Sequence, residues 1–339
     1  MASGNESYET SFEPRSSRMV NDLVLTIFVI GFQVIISGAI CFFGIVANVI
    51  NLIVFIRQGF KDTVNISLFS LAISDIGTLI PILWASIGIN PFLVNADLPF
   101  DLQEVVYLTA GWPGICFSRI SGWITAFITL ERCLCIAVPL KVKTMITVKR
   151  TVIVLVSIYV TMIGALLPVF YAIRLEPRYS PLKNETKFRM VYIPNGFAIE
   201  RVLFLINAFS QLITFGIVII CSIILVKNLI SKSKWRKSTS NSGDHDSFSN
   251  RDKKVVKLVL FIAIIFIVCL LPSVINFIAQ SFEPEYTASG KYEDLFFLIW
   301  SFSTFLTATN SAVNIFVYYN MSSKYKQILD KMFLRGTEG

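Results

Sequence analysis

SRISGWITAFITLERCLCIAVPLKVK, residues Ser118 to Lys143, joins a long apolar run to a charged pair and then to a basic loop. Trp123 to Leu130 is uncharged, Glu131-Arg132-Cys133 follows at once, and Ala137-Val138-Pro139-Leu140-Lys141 leads into the loop. An acid and a base side by side at the end of an apolar helix neutralise each other at a membrane boundary, where an unpaired charge is costly. The pair reads as a switch point.

Outward from this stretch, a chain of 339 residues with 54% apolar and only 15% charged content departs strongly from soluble globular averages. A bilayer crossing takes about 20 mostly apolar residues. Seven such runs occur, at about 28–56, 64–89, 105–136, 151–173, 202–226, 255–281 and 295–319. The expected fold is an all-α membrane protein, a seven-transmembrane helix bundle with its termini on opposite sides. Residues 1–22 contain no apolar core segment, so no cleavable signal peptide is expected and the first span acts as the insertion signal.

The net charge of +8 has a direction. With the N-terminus outside, the inner segments hold 19 Lys/Arg against 6 Asp/Glu, and the outer segments 9 against 14. Basic residues in short loops stay cytoplasmic, so the N-terminus is extracellular, the C-terminus cytoplasmic, and the chain is placed in the plasma membrane. The basic balance belongs to membrane topology and implies no nucleic-acid partner. Two glycosylation sequons, at Asn5 and Asn184, fall on the outer side, while those at Asn65 and Asn320 fall inside and stay unused. The six cysteines lie in spans or at their inner ends, which favours small apolar packers over a disulfide.

Three regions follow: a disordered extracellular segment 1–22; the seven-transmembrane domain 23–321 with a flexible cytoplasmic loop at about 231–251; and an amphipathic helix with a cytoplasmic tail, 322–339. The flexible loop holds Ser238, Thr239, Ser240 and Ser247 as candidate kinase targets. It also holds His245, the only histidine, so no metal site is expected. In the tail, Tyr325, Ile328, Leu329, Met332 and Phe333 recur at helical spacing with lysines between them, which suits a helix lying on membrane lipid. The outer loop at about 174–199 carries Arg174, Arg178, Lys183, Lys187 and Arg189, and reads either as a lid for an anionic or amidated ligand or as a solvated charged face.

Polar residues inside the spans carry the functional signal. Asn48 needs a partner within the bundle, and Gly44 and Ala47 beside it permit close helix approach. Asp75 is a carboxylate at mid-membrane depth, which costs about 3 kcal/mol on insertion scales and points to a polar network. Asn310, Ser311, Asn314 and Tyr318 share one helical face that should turn inward. In the run Phe266-Ile-Val-Cys269-Leu270-Leu271-Pro272, proline removes a backbone hydrogen bond and forms a hinge for the inner half of the helix. Arg119 lies over three turns before Arg132, so it pairs either with a polar group of a neighbouring helix or with a ligand carboxylate. Asn276, Gln280 and Trp300 are the other candidate ligand contacts.

These residues resemble the rhodopsin-like, or class A, G-protein-coupled receptors over nearly the whole chain, with similarity to divergent invertebrate chemosensory and neuropeptide receptors. Asn48 matches the helix-one asparagine, Leu71-Ala72 with Asp75 the helix-two motif, and Glu131-Arg132-Cys133 the Asp/Glu-Arg-Tyr motif. Phe266, Cys269 and Pro272 match the helix-six pattern; Asn314 and Tyr318 match Asn-Pro-x-x-Tyr. Departures accompany the matches: Leu270 replaces the toggle tryptophan, Ile315 the helix-seven proline, and Tyr107 stands where a disulfide cysteine is usual.

The resemblance implies a receptor that binds an extracellular peptide or small-molecule ligand and activates a heterotrimeric G-protein as the inner half of helix six moves. It implies an inactive-state partner for Arg132 at Asp252, and receptor kinase and arrestin as further partners. It also implies a polar pocket of Asp75, Ser121, Asn310, Ser311 and Asn314 that holds an allosteric sodium ion or else only water. No other cofactor is expected.

Other classes fit less well. An intramembrane enzyme needs paired carboxylates or a membrane histidine, and neither is present. A transporter could use Asp75 and Arg119, yet no corresponding pair of broken spans marks an internal repeat. The seventh span has no lysine for a retinal Schiff base, and no acid stands near Gly114 for an amine ligand.

Overall fold

The computed structural model describes residues 22–94, 96–180, 184–239, 246–287 and 290–334, with side chains at 22, 91, 136, 139, 140, 143, 180, 229–259, 321, 333 and 334 set aside. Its crossings are α1 (Leu23–Gln58), α2 (Thr63–Gly88), α3 (Trp112–Ala137), α4 (Val148–Ala172), α5 (Gly196–Thr239), α6 (Asp246–Phe282) and α7 (Glu293–Asn320), followed by α8 (Ser323–Leu334). Six of the seven are long and apolar enough to span a membrane by composition. The remaining one, α3, carries Arg119, Glu131 and Arg132 and packs against α2, α4, α5 and α6. A helix enclosed by protein tolerates charges that a lipid-facing helix would not.

Caps and breaks follow local chemistry. The Asp62 carboxylate accepts from the Val64 N–H and starts α2, and the Thr147 hydroxyl accepts from the Arg150 N–H and starts α4. A wide π turn over Val29–Ile36 lets the Ser86 hydroxyl donate to the Gln33 carbonyl at 2.7 Å, tying α1 to α2. A Cβ on Gly44 would stand 2.8 Å from that of Ala312, so glycine there sets the approach of α1 to α7. Tyr159 donates to the Ser70 carbonyl and Trp123 to the Ser210 hydroxyl, joining α4 to α2 and α3 to α5.

α7 breaks at Val313 although Ile315 stands in place of proline. The Ser311 carbonyl, two residues before the break, accepts from Asn48 Nδ2 at 2.8 Å and ties α7 to α1 there.

Several boundaries differ from the expectation. Asp22 already begins the first helix, and the rest of 1–22, with Asn5, lies outside the described residues. α5 and α6 extend to Thr239 and from Asp246, so much of the loop read as flexible at 231–251 is helical; His245 and Ser240 lie outside the described residues.

The outer loop is neither coil nor helix but a hairpin, β1 (Ile173–Ser180) with β2 (Glu185–Tyr192), Ile173 facing Tyr192 and Ser180 facing Glu185. Residues alternate along both strands. Arg174, Glu176, Arg178, Lys187 and Arg189 take one face, and Ile173, Leu175, Tyr179, Phe188 and Tyr192 the other. That two-residue period lies beneath the charge run that dominated the sequence reading.

α8 docks through Tyr325, 1% exposed, whose ring meets Phe55 and Tyr318 and whose hydroxyl donates to Asn51 at 2.5 Å. The six cysteines are all free.

Candidate ligand-binding and coupling site

The hairpin is fastened to the segment before α3. The Phe188 N–H donates to the Pro99 carbonyl, and the Asp101 N–H to the Phe188 carbonyl, each at 3.0 Å. Arg189 pairs with Asp101 at 3.1 Å and Glu104 at 3.8 Å, and Lys187 reaches Asp97 at 3.6 Å. Glu104 also accepts from the Met190 N–H. Burial raises its carboxyl above the ordinary range, and Asp101 adds to this, while the Met190 N–H and Arg189 oppose it. Tyr107, standing in place of the usual disulfide cysteine, donates to Glu200 Oε1 at 2.7 Å, and Tyr192 donates to Oε2 at 3.0 Å. Ion pairs, strand bonds and this tyrosine clasp therefore join hairpin, α3 and α5 without a disulfide.

Below the hairpin, a cavity of about 560 Å³, its open mouth included, is lined by α1, α2, α3, α6 and α7. Arg119 and Phe277 meet across it, the guanidinium carbon 5.5 Å from the ring centre. Asn276 and Trp300 also line it; Asn276 Oδ1 accepts from the Tyr286 hydroxyl at 2.7 Å. Burial pushes the Tyr286 hydroxyl up to about 12, so it remains a donor. Gln280 is not in the lining: its amide turns back to the Asn276 carbonyl. Arg119 does not find the polar partner on a neighbouring helix that its position suggested. Its Nε and Nη1 are buried without an acceptor among the described residues.

At mid-depth the polar groups close a network. Asp75, fully buried, accepts from the Ser121 hydroxyl at 3.0 Å and from Asn314 Nδ2 at 2.7 Å, and the Ser74 hydroxyl lies 2.8 Å from that of Ser121. Asn48 donates to the Gly44 and Ser311 carbonyls, and Asn51 donates to Asn48 Oδ1 at 3.1 Å. Asn310 is half-buried and takes no part.

Phe266 packs edge-on to Phe215, with Leu270 fully buried beside it, and Cys269 is buried near Pro272 on the same helix. The smaller Leu270 fills the toggle position as an ordinary core residue. Tyr318 contacts Phe55 and Tyr325.

At the inner end, Glu131 Oε1 accepts from Arg132 Nη2 at 3.1 Å and from the Thr63 hydroxyl at the start of α2. Glu131 is 1% exposed on its side chain and Arg132 22%. The side chain of Asp252 lies outside the described residues. Asn184 is exposed at the hairpin turn, its side-chain oxygen accepting from the Tyr179 hydroxyl at 2.7 Å. Asn65 is buried and donates to the Phe55 and Gly59 carbonyls.

Sequence reading missed Thr63, Asn51, Gln33 and Glu200, and Tyr107 and Tyr325 as donors. Gln33 and Glu200 carried a signal, a polar side chain in or at the edge of an apolar run. Thr63 carried none, because a threonine at a helix start reads as a cap.

Seven crossings, an outer cavity and an acid–arginine pair at the inner end define the class of G-protein-coupled receptors. The family described as serpentine type 7TM GPCR chemoreceptor Srw matches residues 35–336, and the chain belongs to it. Similar curated proteins include growth hormone secretagogue receptor type 1 of Sus scrofa, 21% identical over 85% of this chain and 77% of that protein. The tachykinin-like peptides receptor 86C of Drosophila melanogaster is 25% identical over 88% of this chain and 58% of the fly protein. The neuromedin U receptor homolog nmur-2 of Caenorhabditis elegans is 23% identical over 89% and 79%. The protein is thus a multi-pass membrane receptor, not an enzyme, with an extracellular ligand and a G-protein as partners.

Proposed function

We propose that this receptor resides in the plasma membrane with its N-terminus outside and responds to a peptide that enters beneath the hairpin. The observation that carries the reading is the open cavity at Arg119, Asn276 and Trp300 under a strand pair fastened to α3. The names of the fly and porcine relatives, a receptor for tachykinin-like peptides and one for a secretagogue, support it. The bias of lysine and arginine toward the loops on the C-terminal side supports the orientation.

Ligand binding favours a state in which the inner half of α6 swings about Pro272, with Phe266 and Cys269 repacking. Arg132, released from Glu131, then meets the G-protein, and Tyr318 leaves its ring contacts. Asp252 at the base of α6 serves as a second restraint on Arg132. Receptor kinase and arrestin act at the serines near Ser238 and Ser247, α8 rests on membrane lipid, and Asn184 is glycosylated.

A sodium ion at Asp75 would find one carboxylate and the hydroxyls of Ser121 and Ser311, oxygen donors of the kind a hard cation takes. Both carboxylate oxygens already accept from Ser121 and Asn314. We infer that these protein donors satisfy Asp75 without a resident ion.

The test is a peptide library applied to cells expressing the full chain with promiscuous G-proteins, with epitope tags at both ends. A peptide that triggers signalling only in expressing cells, with the N-terminal tag alone reachable from outside, is the expected result. Both tags facing one compartment would overturn the reading.

A further inference from the structure

Orphaned polar atoms gather around the outer cavity. Arg119 Nε and Nη1, both amide atoms of Gln33 and the Ser303 hydroxyl are buried without partners among the described residues, and all three residues line this one space. Gln33 is 1%, Arg119 3% and Ser303 4% exposed. Arg119 also borders a second, smaller cavity toward α4 and α5, and neither lining contains Asp or Glu. The ring of Phe277 is the one cation–π contact to this guanidinium, and such a contact is weaker than an anion held by a desolvated arginine. A buried guanidinium without a counter-charge is costly. The chain leaves it so at about 10 Å below the outer end of α3, by rise per residue.

We propose that Arg119 is the anchor for a carboxylate on the ligand, with Gln33 and Ser303 supplying hydrogen bonds to polar groups beside it. This deepens the receptor reading above and rests on it. A single positive charge in the lining matches a monoanion; a phosphate would keep a charge unmatched, and an ammonium would be repelled. The carboxylate belongs either to a small organic acid or to a peptide's free C-terminus or acidic side chain. Phe277 stands on α6, so the anion engages the same cation that α6 contacts through this ring.

Thermal denaturation of the purified full-length receptor tests this without a known ligand. Arg119→Met removes an uncompensated charge, and its melting temperature without ligand is expected to equal or exceed that of the wild type. A clear fall would show that the arginine is structurally partnered and overturn the proposal. Benzoate against benzamide, and a set of dipeptides as free acids against their amides, are then added at constant chloride and ionic strength. At least one acid is expected to raise the wild-type melting temperature where its amide does not. The gain should vanish in Arg119→Met and persist, reduced, in Arg119→Lys, which keeps the charge.

Benzoate acting alone identifies a small acid, and a peptide acid acting alone a peptide. Equal gains from amides, or none from any acid, overturn the proposal. In the cell assay, an amidated peptide that activates wild type and Arg119→Met alike leaves the peptide receptor standing and sinks the anion anchor. Conversely, an acid-specific, Arg119-dependent shift with no peptide agonist sinks only the peptide reading. For an acid agonist, Arg119→Met should lower potency at least about ten-fold.

Discussion

The middle of the bundle and its outer cavity treat buried polar groups in opposite ways. Among the described residues, Asn48, Asn51, Asp75, Ser121 and Asn314 leave no buried side-chain atom unpartnered, while Gln33, Arg119 and Ser303 leave five. Inside lipid an unsatisfied polar group is expensive in either place. Closure in the middle therefore reads as structure, and openness above reads as a place prepared for a partner. The inner end repeats the open pattern on a smaller scale, since Glu131 Oε2 and Arg132 Nε are also unpartnered among the described residues.

The largest test of this contrast is Asp75→Leu, which strands the donors of Ser121 and Asn314. It should cost about 3 kcal/mol in thermal or denaturant unfolding of the purified receptor. A cost near that of a surface substitution, within about 0.5 kcal/mol, would erase the distinction between the two regions.

Next in size, Glu131→Gln weakens the bond to Arg132 at the open inner end. Basal G-protein signalling should rise about five-fold for each ~1 kcal/mol of lost restraint. Unchanged basal output at equal surface expression would mean that Arg132 is held elsewhere.

Tyr325→Phe removes one hydrogen bond to Asn51 while keeping the ring contacts to Phe55 and Tyr318. It should cost about 1 kcal/mol and loosen α8, read by hydrogen exchange of its amides. At the hairpin, Arg189→Ala breaks half-exposed ion pairs, worth at most about 1 kcal/mol and weakened by high salt. Exchange of the β2 amides should rise in the variant at low salt and match the wild type at high salt.

The smallest effect is a pH slope. Because the folded chain holds the Glu104 proton more tightly than the unfolded chain does, this residue's contribution is fully present below the ordinary carboxylate range. It is lost as pH rises through the raised value. Hairpin protection should fall slightly across that window in the wild type, and Glu104→Gln should remove Glu104's share of the fall.

The seven crossings and much of the polar network were legible because a membrane helix is a local object: apolar length and a mid-span amide are visible residue by residue. The break in α7 at Val313, beside the Ser311 carbonyl that accepts from Asn48 on α1, was not. The hairpin was half legible. Its two-residue alternation is written along 173–192, but the charge run of the loop hid it.

From the chain of residues alone came the number of crossings, the side on which charge accumulates, and the need of Asp75 and Asn314 for inward partners. Which polar groups would find partners was decided only when seven helices met. Hydrogen bonding between residues as far apart as Asn51 and Tyr325 depends on packing that no local pattern specifies. The same holds for Arg119, whose charge the sequence shows, while only the assembled cavity reveals that no acid among the described residues lines it.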